Sequence, residues 1–172
     1  MKDRFRLFLI AAALTASCTI EAFAATKIAV FGFELVDTSL DGEMRGQNPD
    51  EQRRLAALKP RVDAFLASNG DLQPVDITPV EQAAAAQNLQ ACGGCDRRLA
   101  RDLGAALSLT GTVQKVSNLI LNINMVVRDV ATGRVVAAGS ADIRSNSDAS
   151  WFKGVDWLLR HRIAQQLANR QP

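Results

Sequence analysis

Residues 107–143 read LSLTGTVQKVSNLILNINMVVRDVATGRVVAAGSADI. Leu107, Leu109, Gly111 and Val113 alternate with polar neighbours. Leu121, Ile123, Met125 and Val127 then alternate against Asn122, Asn124 and Arg128. A period of two marks strands with one face on a core. Ala131-Thr132-Gly133 closes the second of two hairpins, with Gly133 free to take positive φ. The stretch predicts three consecutive strands, the last from Arg134 to Ile143. Tight turns make them antiparallel neighbours.

Upstream, Lys27 to Leu35 (KIAVFGFEL) is almost wholly apolar, the pattern of a strand buried on both faces. Val36 to Gln47 reads as a polar loop. Asn48-Pro49-Asp50-Glu51 opens a helix with a cap, a first-turn proline and a capping-box acid. Leu55, Leu58, Val62, Phe65 and Leu66 follow at helical spacing. Pro60 predicts a kink or a split in that helix, and Asn69-Gly70 stops it. Leu72 to Ile77 reads as a short strand. Thr78-Pro79-Val80-Glu81 repeats the capping grammar before an alanine-rich helix to about Ala91. Cys92-Gly93-Gly94-Cys95 interrupts, and Asp96 to Leu103 is a second helical piece ending at Gly104. Ser147 or Asp148 caps a last helix with the stripe Phe152, Val155, Leu159, Ile163 and Leu167. The order β-α-β-α-β-β-β-α predicts a single α/β (α+β) domain, a mixed sheet with flanking helices.

The N-terminus reads as an export signal. Lys2, Arg4 and Arg6 precede the apolar run Leu7 to Ala16, and Ala22-Phe23-Ala24 is a small-x-small cleavage site. Residues 1–24 are therefore expected to be removed, leaving 25–172 as one domain in the periplasm. Thr15-Ala16-Ser17-Cys18 is the competing reading, a lipid anchor at Cys18. Thr15 stands where a lipobox carries a branched apolar residue, so cleavage after Ala24 is preferred. No later apolar stretch is long enough to span a membrane. The net charge of +2 comes with scattered basic residues, which argues against nucleic acid as a partner. Tyrosine is absent and His161 is the only histidine.

Three patterns together resemble the N-terminal domain of TolB and the related domain of CsgG-type envelope proteins. They are the strand Lys27-Ile28-Ala29-Val30-Phe31-Gly32-Phe33, the turn Leu103-Gly104-Ala105 leading into Leu109-Thr110-Gly111-Thr112-Val113, and the hairpin from Val127 to Val136. More narrowly, FELVDTSL (Phe33 to Leu40), CGGC (Cys92 to Cys95) and SNLILNINMVVRDVATG (Ser117 to Gly133) resemble an uncharacterised family of exported proteobacterial proteins. The resemblance implies a docking module working through contacts with another envelope or periplasmic protein, in some members alongside periplasmic quinoprotein alcohol oxidation. Neither the TolB β-propeller nor the inserted pore hairpins of CsgG are visible in the sequence, so those activities are not implied.

Candidate sites are few. Cys92 and Cys95, separated by two glycines, are expected to form a disulfide in an oxidising compartment. Closing so short a loop stabilises by about 2 kcal/mol. Thiol–disulfide exchange and metal capture, for example of Cu(I), are the alternatives. Thioredoxin-like folds place the motif after the first core strand, whereas here it follows a helix. Asp37, Ser39, Asp41 and Glu43 place oxygens at alternate positions like a calcium loop. Asn48, however, stands where the bidentate glutamate belongs. The loop reads as solvated surface, and it follows the first core strand, where open α/β sheets place ligand contacts. Trp157 lies off the apolar stripe and reads as a contact residue. His161 has no nucleophile or acid at triad spacing, and no glycine-rich phosphate motif is present. The expectation is a non-enzymatic exported accessory protein with no cofactor. The alternative is a redox or metal-handling protein centred on CGGC.

Overall fold

Strand β1 (Thr26–Asp37) is covered on both faces, and this organises everything around it. Ile28, Ala29, Val30 and Phe31 are completely buried. In the computed structural model, which describes residues 25–69 and 71–170, Ile28 and Val30 face one core and Ala29 and Phe31 another. The expected signal, its cut after Ala24, Cys18 and Gly70 lie outside the described residues.

The sheet has five strands in the order β2-β1-β3-β4-β5. β2 is Leu72–Pro74, β3 Leu107–Ser117, β4 Ile120–Asp129 and β5 Val135–Ile143. β1 runs parallel to β2 and β3, and β3, β4 and β5 form an antiparallel meander. The chain steps from β1 to one side, then crosses back over β1 to the other. Right-handed crossovers in opposite directions put their helices on opposite faces. Accordingly α2 (Pro49–Ser68) lies on one face, while α3 (Glu81–Ala85) and α4 (Cys95–Asp102) lie on the other.

The larger core joins α2 to the last helical run. That run is α5 (Asp148–Leu158), a π-helical turn at Leu159–Ile163, and α6 (Ala164–Ala168). Trp151, Val155, Leu158, Leu159 and Ile163 are fully buried there, with Phe152 and Leu167 half-buried beside them. Arg61 forks onto Asp156 at 2.6 and 2.7 Å, tying α2 to α5. So exposed a pair contributes at most about 1 kcal/mol. The smaller core rests Ile77, Ala84, Leu89, Cys95, Leu99 and Ala100 on Ala29 and Phe31.

Several local expectations are corrected. The loop Val36 to Gln47 contains a short helix, α1 (Leu40–Arg45), N-capped by Ser39. Pro60 does not split α2. Its missing N–H frees the carbonyl of Ala56, an exposed residue, where losing a backbone bond costs least. Asn48 caps α2 as expected, but Glu51 forms no capping box; it turns inward and is buried. Asp76, not Asn48-like capping by Thr78, organises the next turn: its Oδ1 accepts from the Thr78 amide and hydroxyl. The alanine-rich helix stops at Ala85; Ala84 within it and Leu89 beyond its end reach the smaller core. The strand expected over Leu72 to Ile77 spans three residues.

A bulge between Val30 and Phe33 brings Phe33 into the larger core, beside Gly111 of β3. A Cβ on Gly111 would stand 2.3 Å from the Phe33 ring. Gly111→Ala is therefore expected to lose about 1–3 kcal/mol by overpacking in urea denaturation, and Phe33→Leu in the same chain to recover part of it.

Candidate interaction surface

The loop after β1 is built around a buried lysine. Lys115, on β3, is 1 % exposed. Its Nζ lies 2.8 Å from Glu51 Oε1, 3.0 Å from Asp37 Oδ2 and 3.9 Å from Asp41 Oδ2. Asn146 closes the group. Its Nδ2 donates to Glu51 Oε1 and to Asn118 Oδ1, and its Oδ1 accepts from the Trp151 indole. One ammonium thus draws together the ends of β1 and β3, α1, the first turn of α2 and the segment before α5.

Asp37 also shapes α1. Its Oδ1 accepts from the Ser39 amide at 2.9 Å and hydroxyl at 2.6 Å, and Ser39 Oγ accepts from the Gly42 amide at 3.1 Å. Gly42 has to be small, because a Cβ there would stand 2.5 Å from the Asp37 carboxylate. Burial alone raises the Asp37 pKa; the bonds from Ser39 and Lys115 outweigh it, and the net shift is downward. Burial alone lowers the Lys115 pKa; Glu51 and Asp37 outweigh it, and the net shift is upward.

With Asp37, Ser39 and Asp41 turned toward Lys115 and the α1 cap, the loop shows apolar side chains to solvent. Leu40 and Met44, one turn apart on α1, are 70 % and 77 % exposed. Val36, Val116, Leu119 and Ile120 are exposed at the same end of the sheet. Val36 sits beside Gln114 in the β1–β3 register, so it shares a face with Val116. Exposed apolar side chains gathered at one end of a sheet make that end a candidate contact surface.

Of the expected loop residues, Asp37 and Asp41 therefore face an ammonium, Ser39 is a buried cap, and Glu43 is exposed. Among the described residues no three His, Cys, Asp or Glu side chains come together as metal ligands. Cys92 and Cys95 are disulfide-bonded, with Cα atoms 5.7 Å apart. Gly93 and Gly94 take positive φ to make that turn. Cys95 is buried in the smaller core and Cys92 is exposed. Beside them the buried Asp96 accepts from Ser108 Oγ at 2.8 Å, with Arg128 3.5 Å away. Trp157 is exposed on α5, its ring 5.4 Å from that of His161, with the Arg162 guanidinium 5.6 Å from its centroid.

Lys115, Glu51 and Asn146 escaped the sequence reading. One signal was present. The alternation Leu107, Leu109, Gly111, Val113 continues to Lys115, which puts a lysine on the inward face of a strand.

The model of the DUF3280 family, described as a protein of unknown function (DUF2380), matches residues 26–163. The chain belongs to this family. A search of curated proteins finds no match. Among solved structures, the family fold seen here is similar to LpoB of E. coli, determined by NMR. The TM-score is 0.50 and the identity 16%, over 73% of this chain and 60% of that one. Lipoprotein GNA1162 from Neisseria meningitidis gives a TM-score of 0.49 at 17% identity, over 86% and 99% of the two chains. TolB from Acinetobacter baumannii gives 0.48 at 14%, over 87% and 30%. At these identities the likeness concerns the fold.

Removing Lys115 leaves the buried Glu51 and the half-buried Asp37 without their cation, so Lys115→Met is expected to lose about 3–5 kcal/mol at pH 7. Adding Glu51→Gln recovers part of it. Asp37, with its lowered pKa, contributes above the ordinary carboxylate range and ceases to as pH falls through the lowered value. Lys115, with its raised pKa, contributes below the ordinary lysine range and ceases to as pH rises through the raised value. The gap between wild type and Lys115→Met in urea denaturation should therefore narrow between pH 7 and about pH 3.

Proposed function

We propose that this protein is a non-enzymatic, exported accessory protein that docks another envelope protein through the Leu40–Met44 end of its sheet. The observation that carries the reading is the exposed apolar group on a loop fixed by buried charge. A surface held in one conformation before contact loses little entropy on binding. Leu40 and Met44 stand outward because Asp37, Ser39 and Asp41 are held inward. The export signal over residues 1–24 supports a periplasmic setting, with the lipid anchor at Cys18 as the alternative attachment. The likeness to CsgG-type domains and the link to quinoprotein oxidation rest on sequence resemblance. They direct the search for a partner to periplasmic oxidation systems.

A photo-crosslinking residue placed in living cells at position 40, 44 or 119 tests this directly. The three positions are expected to give one common adduct, lost in Leu40→Glu/Met44→Glu, while exposed positions 81 and 98 give none. Adducts that differ at every position, or that survive the double substitution, would sink the proposal.

A second reading places function at Cys92–Cys95, favoured by the exposure of Cys92 just ahead of the start of α4. Its measurement is the reduction potential of the pair. A value below about −300 mV, expected for a bond anchored in a core through Cys95, leaves it a staple; a higher value makes it a redox centre.

A further inference from the structure

β5 is an edge strand, and its outer side is covered at one place only among the described residues. Leu121 to Val127 of β4 pair with Ile143 to Ala137 of β5 without a slip. In such a ladder alternate residues turn their N–H and C=O away from the neighbour. Gln166 shows which ones. Its Oε1 accepts from the Ala138 amide at 3.1 Å, and its Nε2 donates to the Ala138 carbonyl at 2.7 Å. Ala138, Ser140 and Asp142 therefore face outward. The Gln166 amide occupies the place of one peptide unit of a sixth strand. Past it, the Ser140 and Asp142 backbone groups have no partner among the described residues.

A groove of about 470 Å³ follows this open edge, between β5 and α5, lined by Ser140, Asp142, Arg144, Lys153, Gly154 and Trp157. Its charge is one-sided. Arg144, Lys153 and Arg162 make no ion pair among the described residues. The carboxylates nearby are engaged: Asp142 accepts from Asn122 on the face away from α5, Asp156 holds Arg61, and Asp148 holds Arg53 and Arg54. Trp157 adds an exposed aromatic wall. Charges that guard an edge against pairing sit on the strand itself. Lys153 instead stands on α5, across the groove, and Arg162 lies over the Trp157 ring next to it.

We propose that the β5 edge from Ser140 to Arg144 accepts an extended acidic segment of a partner protein as a sixth strand. Backbone bonds to Ser140 and Asp142 hold it, Arg144 and Lys153 meet its carboxylates, and an apolar side chain packs on Trp157. Strand addition obtains affinity from the main chain and selectivity from alternate side chains. The surface shares no residue with the Leu40–Met44 loop, so the two readings stand or fall separately.

The test uses the purified protein and two labelled, end-blocked octapeptides, one alternating valine with glutamate and the other valine with lysine, followed by fluorescence anisotropy at low salt. Saturable binding of the acidic peptide is expected, at least about tenfold tighter than of the basic one. Ser140→Pro removes an outward N–H and leaves the β4 ladder intact. Lys153→Glu reverses a charge at an exposed helical position. Each should weaken binding about fivefold or more, and Leu40→Glu/Met44→Glu should leave it unchanged. No saturable binding, equal binding of the two peptides, or wild-type affinity in Lys153→Glu overturns the proposal. Self-association abolished by Ser140→Pro would assign the edge to a second copy of the chain and likewise overturn it.

Discussion

The need to cover β1 on both faces governs this structure. A strand as apolar as Ile28-Ala29-Val30-Phe31 cannot face water on either side, and a single helical layer buries only one. The chain meets the need by reversing direction across β1, which sends α2 and α4 to opposite faces. The two covers are unequal. One carries Trp151, Leu58, Val62 and Ile163; the other depends on small residues such as Ala84, Ala100 and Ala105. The disulfide anchors the thinner cover where α4 begins. β4 and β5 need no second cover, since their outer face carries Asn122, Asn124, Ser140 and Asp142.

The buried Lys115 acts on a different scale. Taking an ammonium and its carboxylates out of water is costly, and well-packed apolar residues often stabilise as much or more. What the charges add is specificity of position. Glu51 comes from α2, Asp37 from β1 and Asp41 from α1, so the three elements meet in one arrangement only. A methionine at position 115 could fill the space without fixing α1. The exposed Leu40 and Met44 then follow, because Asp37 and Asp41 are held inward.

The strands were legible because their signal is local. The alternation from Leu121 to Val127 and the solid run from Ile28 to Phe31 each report the burial of their own faces. Helix starts at Asn48 and Ser147 were legible for the same reason. Misreadings arose where a distant partner decides. Glu51 has the spacing of a capping box, yet Lys115, far away in sequence, claims it. Asp37, Ser39 and Asp41 have the rhythm of a cation loop, and the cation they surround is again Lys115. Trp157 was visible as an off-stripe aromatic, but nothing local told that it stands beside an open strand edge. That fact depends on the sheet order.

The direction of β1 sets a reach. The strand runs twelve residues from Thr26 to Asp37, a length of about 35 Å. Whatever holds the chain before Thr26 grips one end of the sheet, and Leu40 and Met44 stand at the other. Any attachment on that side projects the apolar end away from its anchorage by the height of the domain. A partner fixed at the same level must stand equally tall to meet it, and a taller one must bend back.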